Sequence, residues 1–309
     1  MSALAMESDE LAILIASVII CITGTLANSI SLSFFIKKDN GTLVKRTFMM
    51  LNVFDLTACI TATVYAFQMP LAGSDLYEGV YSGFYFFDVF SVLYWTAVAA
   101  TAFATTILSV TRTIPLYLPF YRANGRVVAI ATLTFVAYIL TKEITFPMVK
   151  YISGGDEKIM HQHMMYNHCL YAFNIGAPIL TVMVSNFMSI LKLLRKGEGG
   201  LTDITKRATI TVIIISVLFC FFNIFSLIGM YWYSVPDTKP LVKLATSVAL
   251  WIGIPLNSAL NPLVYISRKN EMSVYAAEQL RKVLRFFTQY HRHGTRGRVA
   301  LPQVSSTNV

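Results

Sequence analysis

Seven long apolar stretches, each poor in charge, dictate what this chain can fold into. They cover approximately 11–36, 47–69, 83–114, 125–147, 166–195, 204–233 and 241–266. A helix needs about 20 apolar residues to cross the hydrocarbon of a bilayer. Inside that layer the backbone finds no water, so every N–H and C=O must be bonded internally, and a helix does this. Composition agrees: of 309 residues, 55% are hydrophobic and 13% charged, where a soluble domain carries about 25% charged residues. The expected fold class is an all-α membrane protein, a seven-transmembrane helix bundle. Too little chain is left over for a soluble domain.

The formal charge of +9 is not a nucleic-acid signal, because the basic residues sort by side. With the N-terminus outside, the inner loops and tail hold Lys37, Lys38, Lys45 and Arg46, then Arg112, Arg122 and Arg126, then Lys192, Arg195, Lys196, Lys206 and Arg207. The segment from Arg268 to Arg298 adds the rest. The outer side is diluted by acids that include Glu7, Asp9, Glu10, Asp75, Glu78 and Asp88. This positive-inside bias sets an orientation, N-terminus extracellular and C-terminus cytoplasmic, for a multi-pass protein of the plasma membrane. Residues 1–10 are acidic where a cleavable signal needs a basic start, so the first span is expected to act as the anchor. The organisation is then an extracellular N-terminus over 1–10, a membrane domain over 11–269, and a short eighth helix over 270–287. That helix mixes Met272, Val274, Tyr275, Leu280 and Phe286 with Arg281, Lys282 and Arg285, a composition suited to the inner leaflet. A basic tail over 288–309 is expected to be disordered. The four cysteines fall within or beside apolar stretches, so no disulfide framework is expected.

Polar groups inside the spans need explaining, because a central charge costs roughly 2.5–3.5 kcal/mol on insertion scales. Asp55 is either a hydrogen-bonded packing residue or a cation ligand. Asn28, Thr101, Asn257, Ser258 and Asn261 are its potential partners on other helices, and hard cations prefer oxygen. Lys142 and Glu143, neighbours near the outer end of the fourth span, are expected to snorkel outward. Pro262 interrupts the seventh helix, with Asn261 placed to cap the freed carbonyl.

The motifs together resemble those of rhodopsin-like G-protein-coupled receptors. Asn257-Ser-Ala-Leu-Asn261-Pro262-Leu-Val-Tyr265 resembles the NPxxY signature of the seventh helix. Leu51-Asn-Val-Phe-Asp55 is similar to the second-helix LxxxD, and Gly24-Thr-Leu-Ala-Asn28 to the first-helix GxxxN. Arg112, then Pro119-Phe120, match the end of helix 3 and the second inner loop. Pro178 fits the fifth-helix proline, and Asp203 precedes Cys220 as the inner acid of helix 6 precedes the cysteine of CWxP. The likeness runs over 11–287. Short termini and altered motifs make it similar to invertebrate, especially molluscan, chemosensory or orphan peptide-type receptors.

The resemblance implies binding of an extracellular small molecule or peptide and activation of a heterotrimeric G protein, not enzymatic catalysis. It implies a ligand pocket drawn from Gln68, Tyr94, Trp95, Tyr171, Phe221, Phe225 and Trp251. Coupling falls to Arg112, Asp203, Pro119, Phe120, Asn261, Pro262 and Tyr265. Asp55, Thr101, Asn257 and Asn261 would hold an allosteric sodium ion; no other cofactor is implied. Tyr94 stands where amine receptors hold an aspartate, and Pro255 where opsins hold the retinal lysine, which argues against both ligand classes. The chain also departs from the pattern: Thr111 and Thr113 flank Arg112, Phe221 replaces the helix 6 tryptophan and Asn223 its proline. A receptor-shaped protein that no longer couples is therefore an alternative, as is a small transporter or channel.

Overall fold

The computed structural model describes residues 8–37, 42–66, 86–118, 120, 124–152, 157–195, 203–233, 240–268 and 270–296. The described residues are helical apart from short connecting turns. In order the elements are α1 (Ser8–Lys37), α2 (Leu43–Ala66), α3 (Phe86–Tyr117), α4 (Gly125–Ile152), α5 (Glu157–Arg195) and α6 (Asp203–Tyr233). Then come α7 (Pro240–Val248), a π-helical turn (Ala249–Gly253), α8 (Ile254–Arg268) and α9 (Asn270–Arg296). Seven helical spans are long and apolar enough to cross a membrane, from Leu11–Lys37 to Leu244–Ser267, the last assembled from α7, the π turn and α8. All seven fall where the apolar stretches place them. The protein is a seven-helix membrane bundle.

Large apolar side chains on the rim face outward, among them Ile19, Leu133, Phe173 and Phe187. A soluble protein would hide such a surface, whereas lipid accepts it. α3 runs through the middle, packed on α2, α4, α5 and α6, while α8 closes the ring against α1, α2 and α6. Two apolar clusters fill the interior. One gathers Cys21, Tyr94, Val98, Tyr171, Ile175 and Phe219; the other gathers Phe34, Phe35, Phe48, Leu51, Leu108, Tyr265 and Met272. In the second, the Phe35 and Phe48 rings stack at 5.7 Å, and Tyr265 meets Phe48 edge-on at 4.9 Å. At Gly24, α1 is packed tightly on α2 and α8. A Cβ there would lie 2.7 Å from Cys59 Sγ and 2.9 Å from Ala259 Cβ, so only glycine fits without movement.

Three expectations need correction. α9 continues to Arg296, past the boundary expected at 287, because no proline interrupts the chain before Pro302. α3 likewise runs through Pro115 to Tyr117. Lys142 and Glu143 do not snorkel outward. They pair with each other at 2.7 Å with side chains only 9% and 14% exposed, so the pair is satisfied locally, in the groove between α4 and α5.

Candidate functional site

Asp55 projects from the middle of α2 into the bundle and is fully buried. Thr101 Oγ1, on α3, donates to its Oδ1 at 3.0 Å, and Asn261 Nδ2, on α8, donates to its Oδ2 at 2.8 Å. One carboxylate thus ties three helices. Hydrogen bonds to an ionised carboxylate are about twice as strong as neutral ones.

Asn28 joins the same region from α1. Its Nδ2 donates to Gly24 O at 3.0 Å and to Ser258 O at 3.1 Å. Ser258 is the residue four before Pro262, so its carbonyl is the one the proline leaves without a donor. The cap at this break is therefore Asn28, not Asn261 as the spacing suggested; Asn261 is turned to Asp55 instead. Asn257 is buried, but its Oδ1 meets no donor among the described residues, and the same holds for the Oδ1 atoms of Asn28, Asn52 and Asn261. Thr101 and Asn261 on the Asp55 carboxylate, with Asn28 on the Ser258 carbonyl, make a polar core of buried residues.

Towards the Arg112 end, α3 is fastened to α5 and α6 by a ladder of hydrogen bonds. Ser109 and Ser216 hydroxyls meet at 2.8 Å, linking α3 to α6. Arg112 donates through its terminal nitrogen to Thr205 O, near the start of α6, at 3.0 Å. Thr113 Oγ1 donates to Ser185 O at 3.1 Å and meets Ser189 Oγ at 2.8 Å, and Tyr117 OH donates to Met188 O at 2.6 Å. Lys192 lies over the Tyr117 ring at 4.9 Å. Asp203 opens α6, but its side chain lies outside the described residues, as do Pro119 and all of Gln68. Among the described residues, Arg112 meets α6 at the Thr205 backbone carbonyl. Phe120 is 99% exposed. Tyr265 is buried between Phe35 and Phe48.

At the opposite end, the expected pocket residues divide. Tyr94, Trp95 and Tyr171 come together, with Trp95 edge-on to both neighbours at 5.1 and 5.2 Å. Phe221 and Phe225 do not join them. They are 53% and 50% exposed and pack on each other at 4.8 Å on the outward face of α6. The bundle-facing stripe of α6 is Val212, Ile215, Ser216, Phe219, Asn223 and Ser226, so Phe219 is its core aromatic. From the seventh span, Leu250 and Ile254 pack on the aromatic cluster. Asn223, where the resemblance expects a proline, donates from Nδ2 to Phe219 O at 2.9 Å, engaging the very carbonyl a proline there would have freed.

The hydroxyl ladder of α3 and the Asn28–Ser258 bond were not legible in the sequence. Serines and threonines are common in membrane helices, and nothing in their spacing pairs Ser109 with Ser216. No protein-family model matches the chain, and no curated protein matches it.

Proposed function

We propose that this protein is a receptor of the plasma membrane that binds an extracellular ligand and activates a heterotrimeric G protein. The observation that carries this reading is the ladder at the Arg112 end of α3. Four side chains over three turns hold α5 and α6 against one central helix, through bonds that contribute about 0.5–1.5 kcal/mol each for the hydroxyls and about 1.5–3 kcal/mol for the charged Arg112. Such an end can open when a ligand at the far end favours the open state, since a ligand shifts an equilibrium by its differential affinity for the two forms. The motif resemblance supplies the identity of the partner, and the aromatic cluster of Tyr94, Trp95 and Tyr171 supplies a mostly apolar wall for a ligand. Asp55, Asn257 and Asn261 offer the oxygens a sodium ion takes, and an ion there would neutralise the buried carboxylate between the two ends.

Ligand-free nucleotide exchange on purified G proteins tests the reading directly. Exchange that rises with receptor density and falls in Phe120→Ala at matched expression supports it. If no G-protein family responds to the wild type or to any ladder variant, and reconstituted vesicles carry solute flux, the transporter reading replaces it. Sodium gives a second check. Thermal stability should be higher in sodium than in a large organic cation, by about 2.7 kcal/mol at a hundredfold excess over Kd. Asp55→Asn should abolish the difference.

A further inference from the structure

The seventh span is not one regular helix: α7 gives way to the π turn Ala249–Gly253 before α8 starts at Ile254. A π turn bonds each N–H five residues back, so it holds one residue more than the α-helical turn it replaces, and such turns concentrate at functional sites. This one joins the aromatic cluster to the polar core. Leu250, inside it, and Ile254, just after it, pack on the cluster that holds Tyr94, Trp95 and Tyr171. One turn further on, the buried Asn257 and Ser258 enter the polar core.

Little keys the turn to α6. Ser226 Oγ, on a fully buried residue, reaches Ala249 O at 3.3 Å, but it also donates to Phe222 O in its own helix at 2.8 Å. A serine hydroxyl has one proton, so the bond across the seam is shared. On α6, Gly229 meets the turn without a side chain: a Cβ there would lie 3.4 Å from Ala249 Cβ and 3.5 Å from Thr246 O. On the turn, Gly253 faces α6 in the same way, and its added Cβ would lie 3.8 Å from Phe222 Cδ1 and 4.0 Å from Ser226 Oγ. Neither glycine offers a side chain that would fix one rotation of the turn.

We propose that the π turn is a register switch in the seventh span. In the register of this structure the extra residue is stored in the turn. When the turn relaxes to α-helix, bonds to the fourth residue back replace the wide ones, and α7 rotates against α8 by about one residue, ~100°. At a side-chain radius of ~6 Å, an outer residue of α7 then moves by about 9 Å, and Leu250 leaves its place on the aromatic cluster. Packed interiors convert small changes of contact into discrete movements of this kind. An occupant of the cluster that takes the space of Leu250 selects the α register, since a ligand favours the form it binds better. This use of the switch rests on the receptor reading; the switch itself does not.

The test reads the register without ligand or G protein. Spin labels replace Leu241 on α7 and Phe173 on α5, both exposed, in a full chain whose native cysteines are substituted, and their distance distribution is measured in nanodiscs. The present distance should dominate. Ser226→Ala should raise the share of a second distance, displaced by up to about 9 Å, by about two- to fivefold, the factor one weak bond is worth. Deleting Ala249 removes the stored residue, so the span becomes continuous α-helix with both halves in their present register. That variant should fold and show the present distance alone, with or without Ser226→Ala, whereas deleting Ala259 from the regular α8 should abolish folding. A single unchanged distance in Ser226→Ala, or loss of folding on deleting Ala249, overturns the proposal. Absence of G-protein activation in the wild type would fail the receptor reading and leave the distances to decide the switch.

Discussion

Pro262 has no N–H for the carbonyl of Ser258, and Asn28 reaches across from α1 to supply a donor at 3.1 Å. The bond is buried, so removing the amide leaves an acceptor without water, at a cost of about 1–3 kcal/mol. Asn28→Ala should lower the thermal stability of the purified protein accordingly. In a Pro262→Ala background, residue 262 regains its N–H and can bond Ser258 O itself, so the same substitution should cost clearly less. An equal cost in both backgrounds would mean that Asn28 contributes by packing alone. Phe120 is the opposite case. It is 99% exposed, so Phe120→Ala should leave the melting temperature unchanged while, on the receptor reading, removing most G-protein activation. Coupling that survives at matched surface expression would reduce Phe120 to a membrane contact. At this scale the sequence was informative about residue types and silent about partners. A carboxylate in lipid must be bonded, so Asp55, Thr101 and Asn261 were identifiable. Which amide faces the carboxylate and which caps the break depends on the rotation of α1 and α8, and no spacing encodes that.

The rotation of α6 makes the same point for a whole helix. Phe221 and Phe225 were assigned inward by motif register, yet the bundle-facing stripe runs through Phe219, Asn223 and Ser226. In a soluble protein the polar face of an amphipathic helix would betray its phase. α6 is apolar on both faces because one meets protein and the other lipid, so the contrast that reports phase is missing. The small polar residues Thr209, Ser216, Asn223 and Ser226, all buried, hint at the inner side. The ladder on α3 makes a prediction about the element. Ser216→Ala and Tyr117→Phe each remove one bond between α3 and its neighbours. At about 1 kcal/mol per bond, each should raise the open population roughly fivefold, and both together about 25-fold if independent. Amide exchange should accelerate by these factors in α6 around Ser216 for Ser216→Ala and in α5 around Met188 for Tyr117→Phe, and ligand-free nucleotide exchange should rise with it. Unchanged amide exchange in the double variant would show that the ladder fastens nothing.

For the whole molecule, the seven spans were legible because the bilayer sets one length and demands internal hydrogen bonding, so hydropathy alone places them. The centrality of α3 and the loose seam between α4 and α5 were not legible, since they depend on which helix meets which. Charge predicts the side of the membrane that each end faces. The Arg112 end gathers Lys37, Lys45, Arg46, Lys192, Arg195, Lys206 and Arg207. Each central Lys or Arg costs roughly 2.5–3.5 kcal/mol to move through hydrocarbon, and basic residues in short loops govern which side they stay on. Inverting the chain would carry all of them across, while the acids Glu7, Asp9 and Glu10 would be drawn inside. A tag placed before Met1 should therefore bind antibody on intact cells, and a tag after Val309 only after permeabilisation. A single cysteine at position 120, in a background where the four native cysteines are replaced, should likewise resist a membrane-impermeant maleimide until the cells are opened. Labelling of that cysteine on sealed cells would put the Arg112 ladder on the outer face. The G-protein reading would then fail, because its partner has no access there.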